Sequence, residues 1–448
     1  MGSKVDALLK LVDSDRAFNT PPAELLPVQL EAANERFQDR LGKVKLLGNR
    51  AETGNVTKIG KPEDLIPLLF AHTAYKSYAE SWLAEGRWDR MSKWLETVSA
   101  ISTKGLNLEG IKDLDDWIDR LETVGHYVAC SSGTTGKPAI LTCSKQELDL
   151  TGQITIQSMA WALNIKPRGD YKMMGMGGVS KAARSEAVRQ AIVNGFCSPK
   201  TEYLIPGPPI TVGQIASMIA LRRRIAEGTA TPGEIAAFEN MSKTRQTALI
   251  EGMAEGVREF VEHRHEKMLV SGMWATLFGF AQAVRAQGFS GKDFSPENVL
   301  LVAGGLKGAQ LPDNYREIIF ETFNLDMKRV YQLYSMQEIN SHFPLCSAGR
   351  YHIPAWVMLL LLNESGEQIL DTSGDQEVEG RAAFFDVSLD ARWGGIISGD
   401  KIKAHFGKCA CGNHGPTVAP DIQRYSDLIS GDKLACSGTI DAYVRGVT

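Results

Sequence analysis

Eight residues, Ser131-Ser132-Gly133-Thr134-Thr135-Gly136-Lys137-Pro138, lie between two short apolar runs, Tyr127–Cys130 and residues 139–141. Glycine exposes backbone N–H groups, the hydroxyls donate and the lysine adds charge, so such a turn makes a cradle for phosphate oxygens. It is not the G-x-x-x-x-G-K-[ST] phosphate loop, because Pro138 stands where that loop carries its magnesium-binding hydroxyl. A proline there also disfavours helical backbone at Lys137. The turn is therefore expected to join two strands. Alone, a turn of this composition is more often a surface hairpin than a ligand site, and the rest of the chain has to decide.

At 448 residues the chain is long for one core, and at least two regions are expected. Residues 1–125 read as mainly helical: apolar residues recur every three or four positions in DLIPLLFAHTAYKSYAESWLAEGRWDRMSKWLETV. In TPPAELLPVQLEAANERF, Thr20 is the expected helix cap, followed by prolines where a first turn tolerates them. This region should pack onto the domain that follows. Residues 126–425 alternate short apolar runs with helical stretches, the pattern of layered α/β architecture. HYVAC, YLIPG, KMLVSG, VLLVAGG, RVYQLYS and AWVMLLLLN are the strand candidates. GQIASMIALRRRIAEG and SKTRQTALIEGMAEGVREFVEHRHEK are the helix candidates, with Arg222, Arg223 and Arg224 on a solvated face. After about residue 385 glycine and turn residues dominate and short strands are expected. Residues 426–448 form a minimal C-terminal segment.

The net charge of −4 gives no nucleic-acid footprint. The first eighteen residues carry charges throughout, unlike a secretory signal. No stretch approaches the ~20 apolar residues that span a bilayer, so no membrane is expected and the location reads as cytoplasmic. Seven cysteines are too few for a disulfide scaffold, and a reducing compartment would keep them as thiols.

The string 131–138 resembles the signature loop of the adenylate-forming enzymes: acyl-CoA synthetases, peptide-synthetase adenylation domains and luciferases. Further segments follow in the order this resemblance requires. Ala303-Gly304-Gly305 resembles the glycine pair beside the adenine. Tyr334-Ser335-Met336-Gln337-Glu338 is similar to Tyr-Gly-x-Thr-Glu, whose tyrosine stacks by the adenine, whose threonine contacts phosphate and whose glutamate helps hold Mg²⁺. Ser335 and Gln337 depart from that pattern. Gly399-Asp400 matches the pair whose carboxylate accepts the ribose hydroxyls, and Arg424 with Asp427 resembles the hinge Arg-x-x-Asp. The resemblance implies an α/β adenylate-forming domain of layered sheets with flanking helices, a helical N-terminal extension and a truncated C-terminal lobe. The family normally takes a catalytic lysine from that lobe; Lys433, the remaining candidate, sits in SGDKLACSG, which does not match.

Within the family, the phenylacetate-CoA-ligase-like branch shows Cys-x-Cys-Gly after the Gly-Asp pair, and this chain has KCACGNHGP. With Cys346 and His352 upstream, Cys409 and Cys411 complete a Cys₃His set suited to structural Zn²⁺. His342 and His414 are spare candidates; buried thiols with surface histidines are the alternative. His263 and His265 are expected on an exposed helix. Trp274 and Phe278, in SGMWATLFG, line either a pocket or the core, with core expected; GMGGVSKAAR is a further pocket candidate.

The resemblance implies ATP-dependent activation of a small carboxylic acid as acyl-adenylate, with Lys137, Glu338 and Arg424 as the catalytic set. ATP would be held by Ser131, Ser132, Gly133, Thr134, Thr135, Gly136, Lys137, Gly304, Gly305, Tyr334, Ser335, Gln337, Asp400 and Arg424. The acyl group would pass to a thiol: coenzyme A, or a protein cysteine such as Cys436, which stands near the chain end as in the acyl-protein synthetases. Two alternatives stand beside this: transfer to an amine or other small nucleophile, and a nucleotide-binding protein without catalysis. A homodimer is compatible with the resemblance, and the sequence itself is silent on oligomeric state.

Overall fold

The computed structural model describes residues 3–131, 137–206, 209–302, 304, 306 and 309–428. Ser132, Gly133, Thr134, Thr135, Gly136, Ala303, Gly305, Lys433 and Cys436 lie outside the described residues, as does the side chain of Asp427. The chain packs as two units: residues up to 154 with 182–184 and those from 335 onward, and residues 155–181 with 185–334.

The first unit is organised by one strand, Gly395–His405. Along one edge it pairs antiparallel with Val378–Asp386, which in turn pairs with Val357–Leu362. Its other edge is shared end to end by three two-residue strands. Phe70–Ala71 runs parallel against Ile396 and Ile397, Gln423–Arg424 antiparallel against Lys401 and Asp400, and Thr417–Val418 antiparallel against His405 and Ala404. From Asp400 onward burial alternates, so Asp400, Ile402 and Ala404 face inward while Lys401, Lys403 and His405 face out. A carboxylate on the buried register costs free energy unless something charged or hydrogen-bonding meets it.

The N-terminal helices cover this sheet. Pro22–Arg40 buries Leu25, Ala32, Ala33 and Phe37. The Gln29 amide donates to the carbonyls of Ala355 (2.8 Å) and Val357 (3.3 Å), docking the helix at the end of the apolar strand. Thr20 does not cap this helix: Pro21 occupies the cap position, and the Thr20 hydroxyl donates instead to the Arg16 carbonyl at 2.7 Å. With Pro22 at the first helical position, the missing N–H leaves less for a cap to satisfy. The stretch after 385, expected to hold only short strands, contains the eleven-residue Gly395–His405. Gly394 and Gly395, where this strand begins, lie where neighbouring chain presses close: a Cβ on Gly394 would lie 2.3 Å from the Asp386 carbonyl oxygen.

The second unit has five parallel strands in the order Cys197–Leu204, Tyr171–Gly175, Met268–Gly272, Val299–Val302, Val330–Tyr334. Helices cover both faces, so the central strands Met268–Gly272 and Val299–Val302 are mainly apolar. Val270 and Leu300 join a core with Phe260, Phe280 and Phe323, while their neighbours Leu269 and Leu301 join one with Met159 and Phe196. Trp274 is buried in the first of these cores and Phe278 packs against it, as expected. Arg223 and Arg224 pair with Glu227 and Glu234. His263 and His265 lie just beyond the helix Pro232–Glu262 rather than on it, and His263 bonds Glu266 at 2.7 Å. Among the described residues no helix is long and apolar enough to cross a membrane.

Candidate active site

The phosphate-loop expectation of two flanking strands holds: Tyr127–Cys130 and Ile140–Cys143 pair antiparallel, with Cys130 opposite Ile140. Ser131 extends the hairpin, its hydroxyl accepting from the Ala139 N–H at 3.0 Å and its own N–H donating to the Ala139 carbonyl at 3.1 Å. Lys137 emerges beyond the turn and is held by Tyr78: its ammonium donates to the Tyr78 carbonyl and lies 4.2 Å from the centre of the Tyr78 ring. The Tyr78 hydroxyl donates to the Pro138 carbonyl at 2.8 Å, fastening the loop's exit.

Glu338 follows the strand Val330–Tyr334 by four residues and is half-buried. Burial raises its carboxyl above the ordinary value, Lys76 and Arg392 oppose this, and Asp400 adds to it. The backbone from Met336 to Glu338 is clamped by two buried arginines. Arg184 donates to the carbonyls of Met336 (3.3 Å) and Gln337 (3.4 Å), and Arg392 to those of Glu338 (3.3 Å) and Gln337 (3.5 Å). The amide oxygen of Gln337, at the position where the resemblance calls for phosphate contact, is buried with no hydrogen-bond partner among the described residues. Ser335 is exposed.

Asp400 is buried on the long strand, its N–H donating to the Ser398 hydroxyl at 3.1 Å. Arg424 stands opposite it in register, Nε 3.7 Å from the carboxylate, with more than half of its side chain exposed. Lys137, Glu338, Asp400 and Arg424 thus all belong to the first unit. In the second unit, Gly304 follows the strand Val299–Val302 with φ +80°, a conformation that favours glycine, and Tyr334 is buried at the end of its strand.

The four cysteine and histidine residues assemble. Ligand atoms of Cys346, His352, Cys409 and Cys411 lie within 4.8 Å of one another, with Cys346 Sγ to Cys409 Sγ 3.9 Å and Cys411 Sγ to His352 Nε2 3.4 Å. Zinc–sulfur bonds of ~2.3 Å in a tetrahedron set sulfurs about 3.8 Å apart, so the donors fit Zn²⁺. Burial holds the His352 imidazole down near 4, hence neutral and able to ligate. Burial raises both thiols; it takes Cys409 to about 12, while hydrogen bonds from the Asn413 backbone and side chain hold Cys411 below its ordinary value. Tight turns present the sulfurs: Gly349 N–H donates to the Cys346 carbonyl, and Gly412, at φ +96°, to that of Cys409. His342 and His414 are outside the cluster.

No family model and no curated protein matches the chain. Solved structures do. 2-Hydroxyisobutyryl-CoA ligase in the postadenylation state, in complex with R3-HIB-AMP, matches with a TM-score of 0.54 at 12% identity, over 92% of this chain and 70% of that one. An open conformation of the same ligase with 2-HIB-AMP and CoA matches with a TM-score of 0.53 at 13% identity, over 91% and 76% of the two chains. The chain has the adenylate-forming ligase fold.

Layered sheets with flanking helices are what this adenylate-forming fold was expected to show. Several residues that build its first unit escaped the sequence reading. Arg184 lies in GMGGVSKAAR, which was singled out as a pocket candidate rather than as a clamp on residues 336–337. Arg392 and Tyr78 carried no spacing signal at all. Glu147, buried in the same unit, accepts the N–H groups of Ser144 and Asp390, both at 2.8 Å; burial lifts its carboxyl to about 7 against the pull of Arg392.

Proposed function

We propose that this chain uses ATP to activate a carboxylic acid as an acyl-adenylate, and then transfers the acyl group to a thiol. The observation that carries this is the grouping around one strand: Asp400 meets Arg424 across the sheet and interacts with Glu338, whose carbonyl Arg392 holds while Arg184 holds those of Met336 and Gln337. A carboxylate oxygen attacks the α-phosphorus, the bond to the bridging oxygen breaks, and pyrophosphate leaves with its electron pair. AMP is then a good leaving group where oxide was not. Catalysis here is charge neutralisation and in-line placement. Lys137 and the amides and hydroxyls of residues 131–136 meet the phosphate tail, Asp400 accepts the ribose hydroxyls and Arg424 adds charge. Ser335 and Gln337 stand at the phosphate positions. Gly304, Gly305 and Tyr334 are assigned to the adenine on the motif resemblance. Glu338 would hold Mg²⁺, which supplies further charge to the phosphates when bound.

A thiol acceptor is supported by the matched ligase, described with both an acyl-AMP and CoA. The Cys₃His cluster supports the phenylacetate-CoA-ligase-like branch and a closed, structural Zn²⁺ with no open position for water. The test is isotope exchange between pyrophosphate and ATP over a broad acid panel, with hydroxylamine trapping of the adenylate. Acid-dependent exchange is expected; background exchange throughout, with no binding of AMP, refutes the proposal.

A further inference from the structure

The N-terminal region lies outside the motif resemblance, yet residues 70–78 run through the middle of the proposed site. Phe70–Ala71 joins the long strand beside Ile396 and Ile397, and the His72 N–H donates to the Ile397 carbonyl at 3.0 Å. The His72 ring then lies over Gly399: a Cβ there would sit 3.2 Å from the ring, so glycine permits the approach one residue before Asp400. The chain turns through the short helix Ala74–Lys76, closed by the Ser77 hydroxyl donating to the Ala74 carbonyl at 2.7 Å. Both flanks of Lys76 are pinned. Tyr75 is buried 5.2 Å beneath the Arg392 guanidinium, and buried Tyr78 grips Lys137 and Pro138. Lys76 itself is half-buried, within electrostatic range of the Glu338 carboxylate and the Arg424 guanidinium.

We propose that Lys76 is a catalytic residue that contacts the nucleotide's α-phosphate, supplied by the N-terminal segment to the corner formed by Glu338, Asp400 and Arg424. This rests on the nucleotide site proposed above. Two carboxylates stand at that corner, and a phosphate entering beside them meets repulsion unless cations match them. Lys76 and Arg424 bring the four groups to neutrality, while the two terminal nitrogens of Arg392 turn to the backbone carbonyls of Glu338 and Gln337. An ammonium is a compact charge with three donors on a flexible stem, so it can turn to a phosphate oxygen without reorganising its neighbours.

The probes are AMP and adenosine, titrated calorimetrically in EDTA, since the two differ only by the phosphate. In Lys76→Met, AMP affinity should fall about tenfold or more, adenosine affinity should stay within about twofold, and the AMP deficit should persist when Glu338→Gln is added. Unchanged AMP affinity overturns the assignment, as does an equal loss for both ligands. Recovery in the double variant also overturns it, because Lys76 would then act only by neutralising Glu338. If the wild-type protein binds neither ligand, the nucleotide site itself falls, and Lys76 with it; if it binds AMP and Lys76→Met binds it equally, Lys76 falls alone.

Discussion

Asp400→Asn removes one charge and keeps the side chain's shape, which makes it the sharpest probe of the proposed ribose contact. A hydrogen bond to a charged group contributes about 1.5–3 kcal/mol, so two ribose hydroxyls on the carboxylate amount to about 3–6 kcal/mol. Asparagine keeps one carbonyl acceptor and turns an NH₂ toward the second hydroxyl. About half should vanish, giving roughly 10- to 150-fold weaker ATP binding. The folded state should barely notice. The Arg424 partner is 3.7 Å away with its side chain 56% exposed, and such a solvent-screened pair contributes less than about 1 kcal/mol, or at most about 4 °C in melting temperature. Calorimetric titration with ATP, 2′-deoxy-ATP and 3′-deoxy-ATP closes a cycle between residue and hydroxyl. Wild type should discriminate against at least one deoxy analogue, and Asp400→Asn should lose that discrimination. Equal discrimination in both proteins refutes the ribose contact, whatever happens to overall affinity.

Protein purified without added zinc should carry about one zinc per chain, and Cys409→Ala should lose it with a lowered melting temperature, while Cys197→Ala, a buried thiol outside the cluster, should keep it. Substantially less than one zinc in wild type refutes the site. Glu147 has its carboxyl raised by burial from 4.5 to about 7 in the folded protein, so the stability it lends is present below about pH 4.5 and disappears as pH rises through 7. Glu147→Gln removes that dependence. Its melting temperature relative to wild type should climb between about pH 4.5 and pH 8, by a difference on the order of 3 kcal/mol in stability, and a flat gap counts against the buried ionisation.

Where the chemistry is local, the sequence is legible. The hairpin around residues 131–138 follows from glycine, proline and two apolar runs, and the later part of the helix Pro232–Glu262 from its periodicity, although the helix starts at Pro232, upstream of the expected stretch that begins at Ser242. The Cys₃His cluster was legible only through the family pattern, because Cys346 and Cys409 are brought together by the fold and not by spacing. Arg184, Arg392 and Lys76 were invisible: an isolated charged residue reads as solvent-facing until packing decides otherwise, and their partners are carbonyls and carboxylates far along the chain. Nor does any local signal show that residues 155–181 and 185–334 pack together while 182–184 do not join them. That is a property of contacts between segments.

The three short strands on the outer edge of Gly395–His405 dock at intervals of four residues, at 396–397, 400–401 and 404–405. The strand therefore works as a ruler against which the beginning and the end of the protein are measured. Because its side chains alternate, inserting or deleting one residue within it would turn Lys401 inward, swing Asp400 outward and unseat all three partners together. Surface loops in this protein can drift in length; the eleven residues that fix its scale cannot.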